Sequence, residues 1–284
     1  MKISGIIKVM FIIVMDFLCI YYIAGVEISI ILISVVGIYV WMGEYLDIYK
    51  NHGWKADKRL DYESIKFVHS YTYLSEYIFE KEGINVKNIK LCILPSDDIN
   101  AFACGFKHIA VTSGALKNTD EMTLSAILAH EISHIINLDV VFKRIAFFNI
   151  FVIIVCLTIL SAISGILIWG AFFVLCFFGI CKGDVSLFVV SGISKALKAF
   201  FAGMQKVIVV TFQIIIGIVS RRSEYRADNY AVQLGYGLQL QYFLSRFVSI
   251  EQQRKRTLQD VLYDTHPAPE KRIAKLQKEI AGLL

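Results

Sequence analysis

Proline is almost absent from this sequence of 284 residues. The chain has three prolines, Pro95, Pro267 and Pro269, and none of them interrupts a long apolar stretch. Because proline ends or kinks helices, this distribution favours long uninterrupted helices. Charge is scarce as well, since 19% of the residues are charged, against about 25% in average soluble domains. With 56% hydrophobic residues, the composition excludes a disordered chain and a purely soluble one.

Basic segments and cysteine motifs are also missing. The formal net charge is +5, and no arginine-rich arm or basic tail occurs. We interpret the excess positive charge as residues beside a membrane that face an acidic leaflet, and we expect no nucleic acid partner. None of the six cysteines forms a C-x-x-C pair. This argues against a disulfide framework and against a cysteine zinc site, and favours buried free thiols.

The first apolar block lies at the start of the sequence. Residues 9–26 are apolar except for Asp16, and a second apolar stretch covers residues 28–43. We predict a transmembrane hairpin over residues 1–43, with its turn near residues 25–27. Asp16 is costly in lipid, so it needs either a partner inside the helix bundle or a position near the membrane interface.

Basic residues flank this hairpin on both sides, whereas its connecting loop has none. The positive-inside rule therefore puts both ends of the hairpin in the cytoplasm. Lys143, Arg144 and Lys182 flank the next apolar block and are consistent with the same side. The basic residues around the hairpin are Lys2, Lys8, Lys50, Lys55, Lys58 and Arg59.

The second apolar block is long enough for more than one crossing. Residues 145–181 contain no Asp, Glu, Lys or Arg, whereas one spanning helix needs about 20 apolar residues. In one interpretation this run makes two crossings with a turn near residues 161–165. Residues 185–220 then lie along the membrane, with an amphipathic helix at 192–206. In the other, 145–181 and 185–220 cross once each. We favour the first, and both give an even number of crossings.

The polar segment between the two blocks predicts a small mixed domain. Residues 60–85 have apolar residues at helical spacing, and residues 89–94 are typical of a strand. Two further short strands are predicted around a bend within residues 100–112. Another helix is predicted to begin with Asn118 as its N-cap and an acidic residue three positions later.

That last helix contains the motif His130-Glu131-Ile132-Ser133-His134. Residues four positions apart share one face of an α-helix, so both imidazoles can reach one metal ion. Glu131 adjoins the first histidine, where it can activate a water bound to that metal. The motif follows apolar residues that predict a buried helix face, which is the setting that such a helix requires. The pattern predicts a catalytic zinc site.

A catalytic zinc site needs a third protein ligand and an open position for water. The sequence offers four candidates, which are Asp139, Glu224, Asp228 and His266. Glu224 and Asp228 are again four positions apart, so one helix face carries both. If that helix crosses the zinc helix, one carboxylate can bind the metal and the other can accept a hydrogen bond from a histidine N–H.

Four segments, taken in order, resemble one known family. Residues 99–105 (Ile-Asn-Ala-Phe-Ala-Cys-Gly) are similar to a family strand with Asn-Ala-Phe-x-x-Gly, and residues 130–134 to its zinc helix. Residues 224–228 (Glu-Tyr-Arg-Ala-Asp) match its E-x-x-A-D segment. Residues 266–273 match its late segment that begins with His-Pro and ends with Arg-Ile. Over roughly residues 60–284, the chain resembles the HtpX-type zinc metallopeptidases, the family that also contains the CAAX prenyl proteases.

The resemblance implies roles for individual residues. His130, His134 and Glu224 would bind one zinc ion per chain. Glu131 would act as the catalytic base, and Asp228 would hydrogen-bond a zinc-binding histidine. His266 would lie near the site as a donor to the transition state, as an occupant of the open zinc position, or only as part of a turn. The remaining candidates near the site are Arg272 and Asn100.

The implied architecture is a mainly α integral membrane protein. Its zincin-like (gluzincin) metalloprotease domain would contain a small β-sheet and be interrupted by a membrane insert. After the hairpin, the first half of that domain covers residues 44–142. The insert covers 143–220, with two crossings plus an amphipathic helix, and the second half covers 221–284 with the third ligand. An even crossing number puts both halves in one compartment, the cytoplasm, and we expect a bacterial inner, or plasma, membrane.

The implied function is a membrane-anchored zinc-dependent endopeptidase that cleaves membrane or membrane-associated proteins. Its partners would be a protein or peptide substrate and the lipid bilayer. One alternative is a CAAX-type prenyl-protein protease, although such enzymes usually carry more spans. An alternative of another class is a non-catalytic membrane adaptor or transporter with a decayed zinc site, against which the intact motif residues argue.

Overall fold

The computed structural model describes residues 2–49, 54–56, 61–181, 183–251 and 267–282. The protein is mostly helical and has one small sheet. The helices are α1 (Ile3–Tyr49), α2 (Tyr62–Glu82), α3 (Ser113–Asn118), α4 (Glu121–Ile136), α5 (Asp139–Phe177), α6 (Asp184–Gln233), α7 (Gly237–Glu251) and α8 (Pro269–Ala281). The strands are β1 (Trp54–Lys55), β2 (Lys90–Leu94), β3 (Ala101–Cys104) and β4 (His108–Thr112).

The sheet has the strand order β1-β2-β4-β3. β2 runs parallel to β4, and β1 and β3 are antiparallel to their neighbours. β3 therefore lies at an edge of the sheet, with Ala101 opposite Val111 and Cys104 opposite His108 on β4. The same strand packs against α4, the helix with the histidine motif. This arrangement puts an edge strand beside the predicted metal ligands.

The chain forms two compact units. The first contains the residues up to 145 and those from 217 onward, and the second contains residues 146–216. The core of the first unit lies among the sheet, α2, α4, α7 and α8, where each fully buried Leu, Ile or Phe side chain contributes about 1.5–3 kcal/mol. Its largest fully buried side chains are Phe67, Leu74, Ile78, Ile109, Val111, Leu116, Leu124, Leu128, Ile132, Ile136, Leu240 and Leu276.

α4 begins two residues later than the sequence predicts. Asn118 ends the short helix α3, and Asp120 is the N-cap of α4, since its Oδ1 accepts the backbone N–H of Thr123 at 2.7 Å. Asn and Asp are equally good caps, so position alone did not separate them. Thr123 to Ile136 are all buried, so both the apolar face and the histidine face of α4 are enclosed.

α1 has helical backbone hydrogen bonding throughout, yet its two ends come together. Val9 and Val40 belong to one buried cluster with Leu138, Val141 and Ile145. A straight helix would separate the two valines by about 46 Å, whereas the three partners lie within about 10 Å along the chain. Val9 and Val40 therefore pack against the same short segment of the chain, and the hairpin stays a prediction. The backbone is helical through residues 25–27, so the turn predicted there is not found.

α5 does not turn where we favoured a turn. It continues through residues 161–165 without a break, so the favoured interpretation of two crossings within 145–181 is wrong. Proline is absent there, and the Ser164 hydroxyl donates to the Ser161 carbonyl inside the helix at 2.8 Å instead of capping an end. An unbroken helix also leaves no backbone polar group exposed to lipid.

The second unit instead pairs α5 with α6 in antiparallel order. Phe147 meets Phe212 with ring centroids 5.2 Å apart, and Gln205 Nε2 donates to Thr158 Oγ1 at 2.8 Å. α5 and α6 are both long and apolar enough to cross a membrane, by length and composition. This is the alternative with one apolar helix in each half of the insert. The amphipathic stretch at 192–206 is not a separate helix but part of α6.

Candidate metal centre

Two crossing helices bring three electron-pair donors together. α4 presents the Nε2 atoms of His130 and His134, which lie 3.2 Å apart. α6 presents the carboxylate of Glu224, with Oε2 3.4 Å from His130 Nε2 and Oε1 3.5 Å from His134 Nε2. All three side chains are buried, and their donor atoms lie within 4.8 Å of one another. The structure thus brings together the three residues that the resemblance assigned to zinc.

The outer nitrogen of each imidazole faces a second carboxylate. His130 Nδ1 lies 3.0 Å from Asp228 Oδ1, and His134 Nδ1 lies 3.1 Å from Asp139 Oδ2. A proton on each Nδ1 satisfies these hydrogen bonds and leaves the two Nε2 lone pairs directed at each other and at Glu224. Three lone pairs cannot converge in a buried site unless a positive charge lies between them. The arrangement therefore requires a proton or a metal ion.

The donor set fits zinc. Zinc binds imidazole nitrogen at about 2.0–2.1 Å and prefers tetrahedral coordination, so two of its ligand atoms lie about 3.3 Å apart. Here the two Nε2 atoms lie 3.2 Å apart and Glu224 Oε2 lies 3.4 Å from His130 Nε2, while the other oxygen, Oε1, lies 3.5 Å from His134 Nε2. One donor atom from each residue lies within 4.8 Å of the others. Three protein ligands leave a fourth position for water or substrate, as in catalytic rather than structural sites.

The electrostatics of the site also favour positive charge. Burial disfavours the imidazolium form of His130, but hydrogen bonds to Asp228 and Glu224 outweigh it and raise its pKa to about 10. The pKa of His134 is raised as well, because Asp139 and Glu224 outweigh the opposing effect of burial. The carboxylates thus hold a positive charge at the site even at neutral pH.

Arg272 joins Glu224 and Asp228 of α6. Its Nε and NH2 atoms hold the Asp228 carboxylate at 2.8 and 2.5 Å, and NH1 lies 3.3 Å from Glu224 Oε2. A planar guanidinium can make this two-pronged contact, whereas a lysine cannot. Arg272 comes from α8 and was predicted only as a candidate near the site. Its position fixes the orientation of both carboxylates.

Glu131 is fixed to the edge strand. The backbone N–H of Ala103 in β3 donates to Glu131 Oε2 at 2.7 Å, and both residues are buried. Glu131 is therefore held between α4 and β3, the edge strand of the sheet. This is the position that a base needs if a substrate lies along β3.

Asp139 has a role that the sequence did not suggest. It was a candidate ligand, but its carboxylate meets the outer nitrogen of His134 instead of the shared donor group. Two cations hold it there, Lys8 Nζ at 2.7 Å and Arg226 NH2 at 2.6 and 2.7 Å. Arg226 lies within the E-x-x-A-D segment, so the sequence placed it near the site. Nothing in the sequence placed Lys8 there, because contacts between distant segments leave no pattern in a single sequence.

The two remaining candidates are not among the donors. Asn100 is exposed just before β3, where its backbone N–H donates to Thr112 Oγ1 at 3.0 Å. His266 lies outside the described residues, which resume at Pro267, and its role stays a prediction.

Comparisons with known proteins identify a family. The profile of peptidase family M48 matches residues 74–280. A protease HtpX homolog from Pelotomaculum thermopropionicum is 34% identical over 143 residues, 49% of this chain and 44% of that protein. One from Desulfotalea psychrophila is 28% identical over 208 residues, 66% of this chain and 67% of that protein. The chain thus spans less than half the length of the first of these relatives.

Among solved structures, the crystal structure of S. mikatae Ste24p has 17% sequence identity and a TM-score of 0.48, and covers 95% of this chain and 63% of that chain. The residues matched by the family profile, 74–280, include the histidine helix, Glu224, Asp228 and Arg272. The chain is also similar in sequence to the two HtpX homologues. The chain therefore belongs to peptidase family M48, as its resemblance to the HtpX-type metallopeptidases predicted.

Proposed function

We propose that the protein is a membrane-anchored, zinc-dependent endopeptidase that cleaves membrane or membrane-associated proteins. One observation carries the proposal. Three buried donors from two helices converge within 4.8 Å of one another, the two Nε2 atoms lie 3.2 Å apart as tetrahedral zinc requires, and Glu131 adjoins them. His130, His134 and Glu224 would hold one zinc ion per chain. A purely structural role would not need a carboxylate base beside a site with an open position.

Different residues of the site have different roles in the proposed reaction. When bound, zinc supplies a Lewis acid that polarises a carbonyl and lowers the pKa of water from about 15.7 toward 7. Glu131 then takes a proton from the attacking water and delivers it to the leaving amine. Asp228 and Asp139 keep the two imidazoles in the tautomer that leaves Nε2 free to bind metal. Burial of the whole group limits access of bulk water.

The edge strand offers a place for an extended substrate. The N–H of Thr112 donates to the Asn100 carbonyl at 3.0 Å, so alternate residues of β3 bond inward to β4. Ala101 and Ala103 then direct their backbone polar groups outward. The N–H of Ala103 is taken by Glu131, which leaves its carbonyl and both groups of Ala101 for a substrate strand. A peptide added here would pass Glu131 in a fixed register.

The membrane arrangement follows from the order of the chain. The two histidines precede α5, and Glu224 lies near the end of α6. One crossing in each helix returns the chain to the side from which it started, so both parts of the site share one compartment. Lys143, Arg144, Arg221 and Arg222 flank the apolar stretches and favour the cytoplasm. We therefore keep residues 143–220 as the insert between two halves, 44–142 and 221–284, of a multi-pass protein.

Restoring activity with zinc tests the proposal. The full chain, purified in detergent and stripped with a chelator, is expected to cleave an unfolded membrane protein after one equivalent of zinc is added, and not after magnesium. A prenylated C-terminal peptide tests the CAAX alternative in the same assay. Preferential cleavage of that peptide would redirect the substrate class. Equal cleavage with and without zinc would rule out a zinc peptidase.

Zinc affinity is expected to rise with pH. The pKa of His130 is raised to about 10, so below that pH the metal-free protein holds a proton that zinc must displace. Zinc binding should therefore release at least one proton, and should strengthen about tenfold per pH unit for each proton released as the pH rises toward about 10. Calorimetry at pH 7.5 in two buffers of different ionisation enthalpy measures this release. Zinc binding without proton release would contradict the convergence of the three donors.

A further inference from the structure

The start of α1 abuts the end of the helix that carries both histidines. The backbone N–H of Lys2 donates to the carbonyl of Ile136 at 2.7 Å. The first N–H groups and last carbonyls of a helix lack partners within it, so these two ends satisfy each other. A Cβ on Gly5 would lie 2.6 Å from the carbonyl oxygen of Asn137. Only glycine allows this close approach.

One helical turn further along α1, a lysine reaches the metal centre. Lys8 Nζ lies 2.7 Å from Asp139 Oδ1, and Asp139 Oδ2 lies 3.1 Å from His134 Nδ1. Asp139 is 3% exposed, so its negative charge depends on these contacts and on Arg226. Lys8 thus lies two contacts from a nitrogen that would bind zinc.

The link between His134 and Asp139 passes through an unusual turn. Leu138 has φ 54°, and it is the one residue other than glycine with positive φ in the described part of the chain. This left-handed conformation is unfavourable for leucine. The side chain of Leu138 is buried in the cluster that contains Val9 and Val40. Packing against α1 therefore stabilises the turn that brings Asp139 back to His134.

We propose that residues 2–9, which are Lys2 and the start of α1, form a positioning element of the metal centre, and that Lys8 is a positioning residue acting on His134 through Asp139. Three independent contacts carry the inference: the joined helix ends, the ion pair of Lys8, and the packing of Val9 near Leu138. It rests on the proposed zinc site. It goes beyond that site because it makes the N-terminal helix a part of the catalytic domain as well as a membrane anchor.

Substitution of Lys8 tests the charge. Loss of a partner that contacts a zinc ligand costs about 10–100-fold in metal affinity, and Lys8 acts one contact further out while Arg226 remains. Lys8→Met in the full chain should therefore weaken zinc binding about three- to tenfold, and should alter the visible spectrum of the cobalt(II)-loaded protein. Lys8→Arg keeps the cation and should stay within about twofold of wild type. Lys117→Met, an exposed lysine on α3, is the charge-matched control.

Substitution of Gly5 tests the close approach. Gly5→Val should push α1 away from Asn137 and weaken zinc binding, because its Cβ would overlap the carbonyl oxygen. Gly37→Val is the matched control on the same helix, since a Cβ there meets nothing within 4 Å. Thermal unfolding of the metal-free variants separates a loss of zinc affinity from a loss of fold. If Gly5→Val does not fold, the Lys8 variants decide.

The outcomes separate this inference from the proposed function. If wild type binds zinc and Lys8→Met binds it equally well with an unchanged cobalt spectrum, the positioning role is wrong and the zinc site stands. If Lys8→Arg is as weak as Lys8→Met, the cation is not what matters and the inference also fails. If wild type itself binds no zinc, both the proposed function and this inference are wrong.

Discussion

Replacing Glu131 with glutamine is expected to abolish cleavage while zinc stays bound. Glutamine has almost the same shape, and its side-chain oxygen can still accept the N–H of Ala103 that holds Glu131 at 2.7 Å. It cannot take up the proton of an attacking water. Loss of general base catalysis costs about 10²–10⁴-fold in rate. Zinc content should not change, because the converging donors come from His130, His134 and Glu224.

Cleavage and metal content need to be measured on the same sample. The wild-type chain is expected to cut itself when zinc is added, whereas Glu131→Gln should stay intact with one zinc per chain by elemental analysis. Glu121→Gln is the matched control, because Glu121 is an exposed residue in the first turn of the same helix. Full activity of Glu131→Gln would show that Glu131 is not the general base. Loss of zinc from it would instead place Glu131 among the ligands.

The sequence predicted the parts of the site that are encoded locally. Two histidines four positions apart must share a helix face, and Glu224 and Asp228 follow the same rule, so each pair needs only a helix to be correct. The strand before the bend and the helix α2 are predictable for the same reason, since their apolar spacing has a clear period. Crossing of the two ligand helices did not follow from periodicity. It came from the resemblance.

Contacts between segments that are far apart in the sequence could not be predicted from it. Lys8 and Arg226 converge on Asp139. Arg226 lies within the E-x-x-A-D segment, which marks the site but not this partner, and nothing in the local sequence marks Lys8. Lys8 was counted as an orientation signal for the membrane, and its ion pair gives the same charge a second explanation. Asp139 was a candidate ligand because of its distance along the chain from His134. The left-handed turn at Leu138 decides which nitrogen it meets, and φ at a leucine cannot be read from sequence.

The membrane segments show a different limit. A run without charge establishes that residues 145–181 are apolar, but hydropathy has no feature that marks a turn. Gly165 suggested one, yet a glycine inside a helix costs only about 1 kcal/mol, less than exposing backbone groups in lipid. α5 therefore continues, and the return comes after residue 177. The length and composition of an apolar run therefore predict that a helix can cross a membrane, but they do not predict the residue at which that helix ends.

Glu224→Ala is expected to remove zinc from the protein. The variant deletes one of three donors and leaves two histidines, which is fewer than any catalytic zinc site uses. Asp228→Asn is a graded comparison on the same helix, one turn away. It keeps all three donors but removes the anion that faces His130 Nδ1 and pairs with Arg272, so zinc affinity should fall about 10–100-fold while binding persists at high zinc. Elemental analysis and competition with a chelator measure both variants.

The zinc content of Glu224→Ala tests the membrane topology as well as the identity of the third ligand. Arg272 contacts Glu224 and Asp228 together, so in Glu224→Ala the guanidinium keeps Asp228 and the fold is expected to hold. Glu270→Ala, an exposed acid in the first turn of α8, controls for charge beside Arg272. Unchanged zinc in Glu224→Ala would require another third donor, Asp139 or His266. Loss of zinc would mean that one site is shared by the helix before the two apolar helices and the segment after them, which holds only if the chain returns to the same side of the membrane.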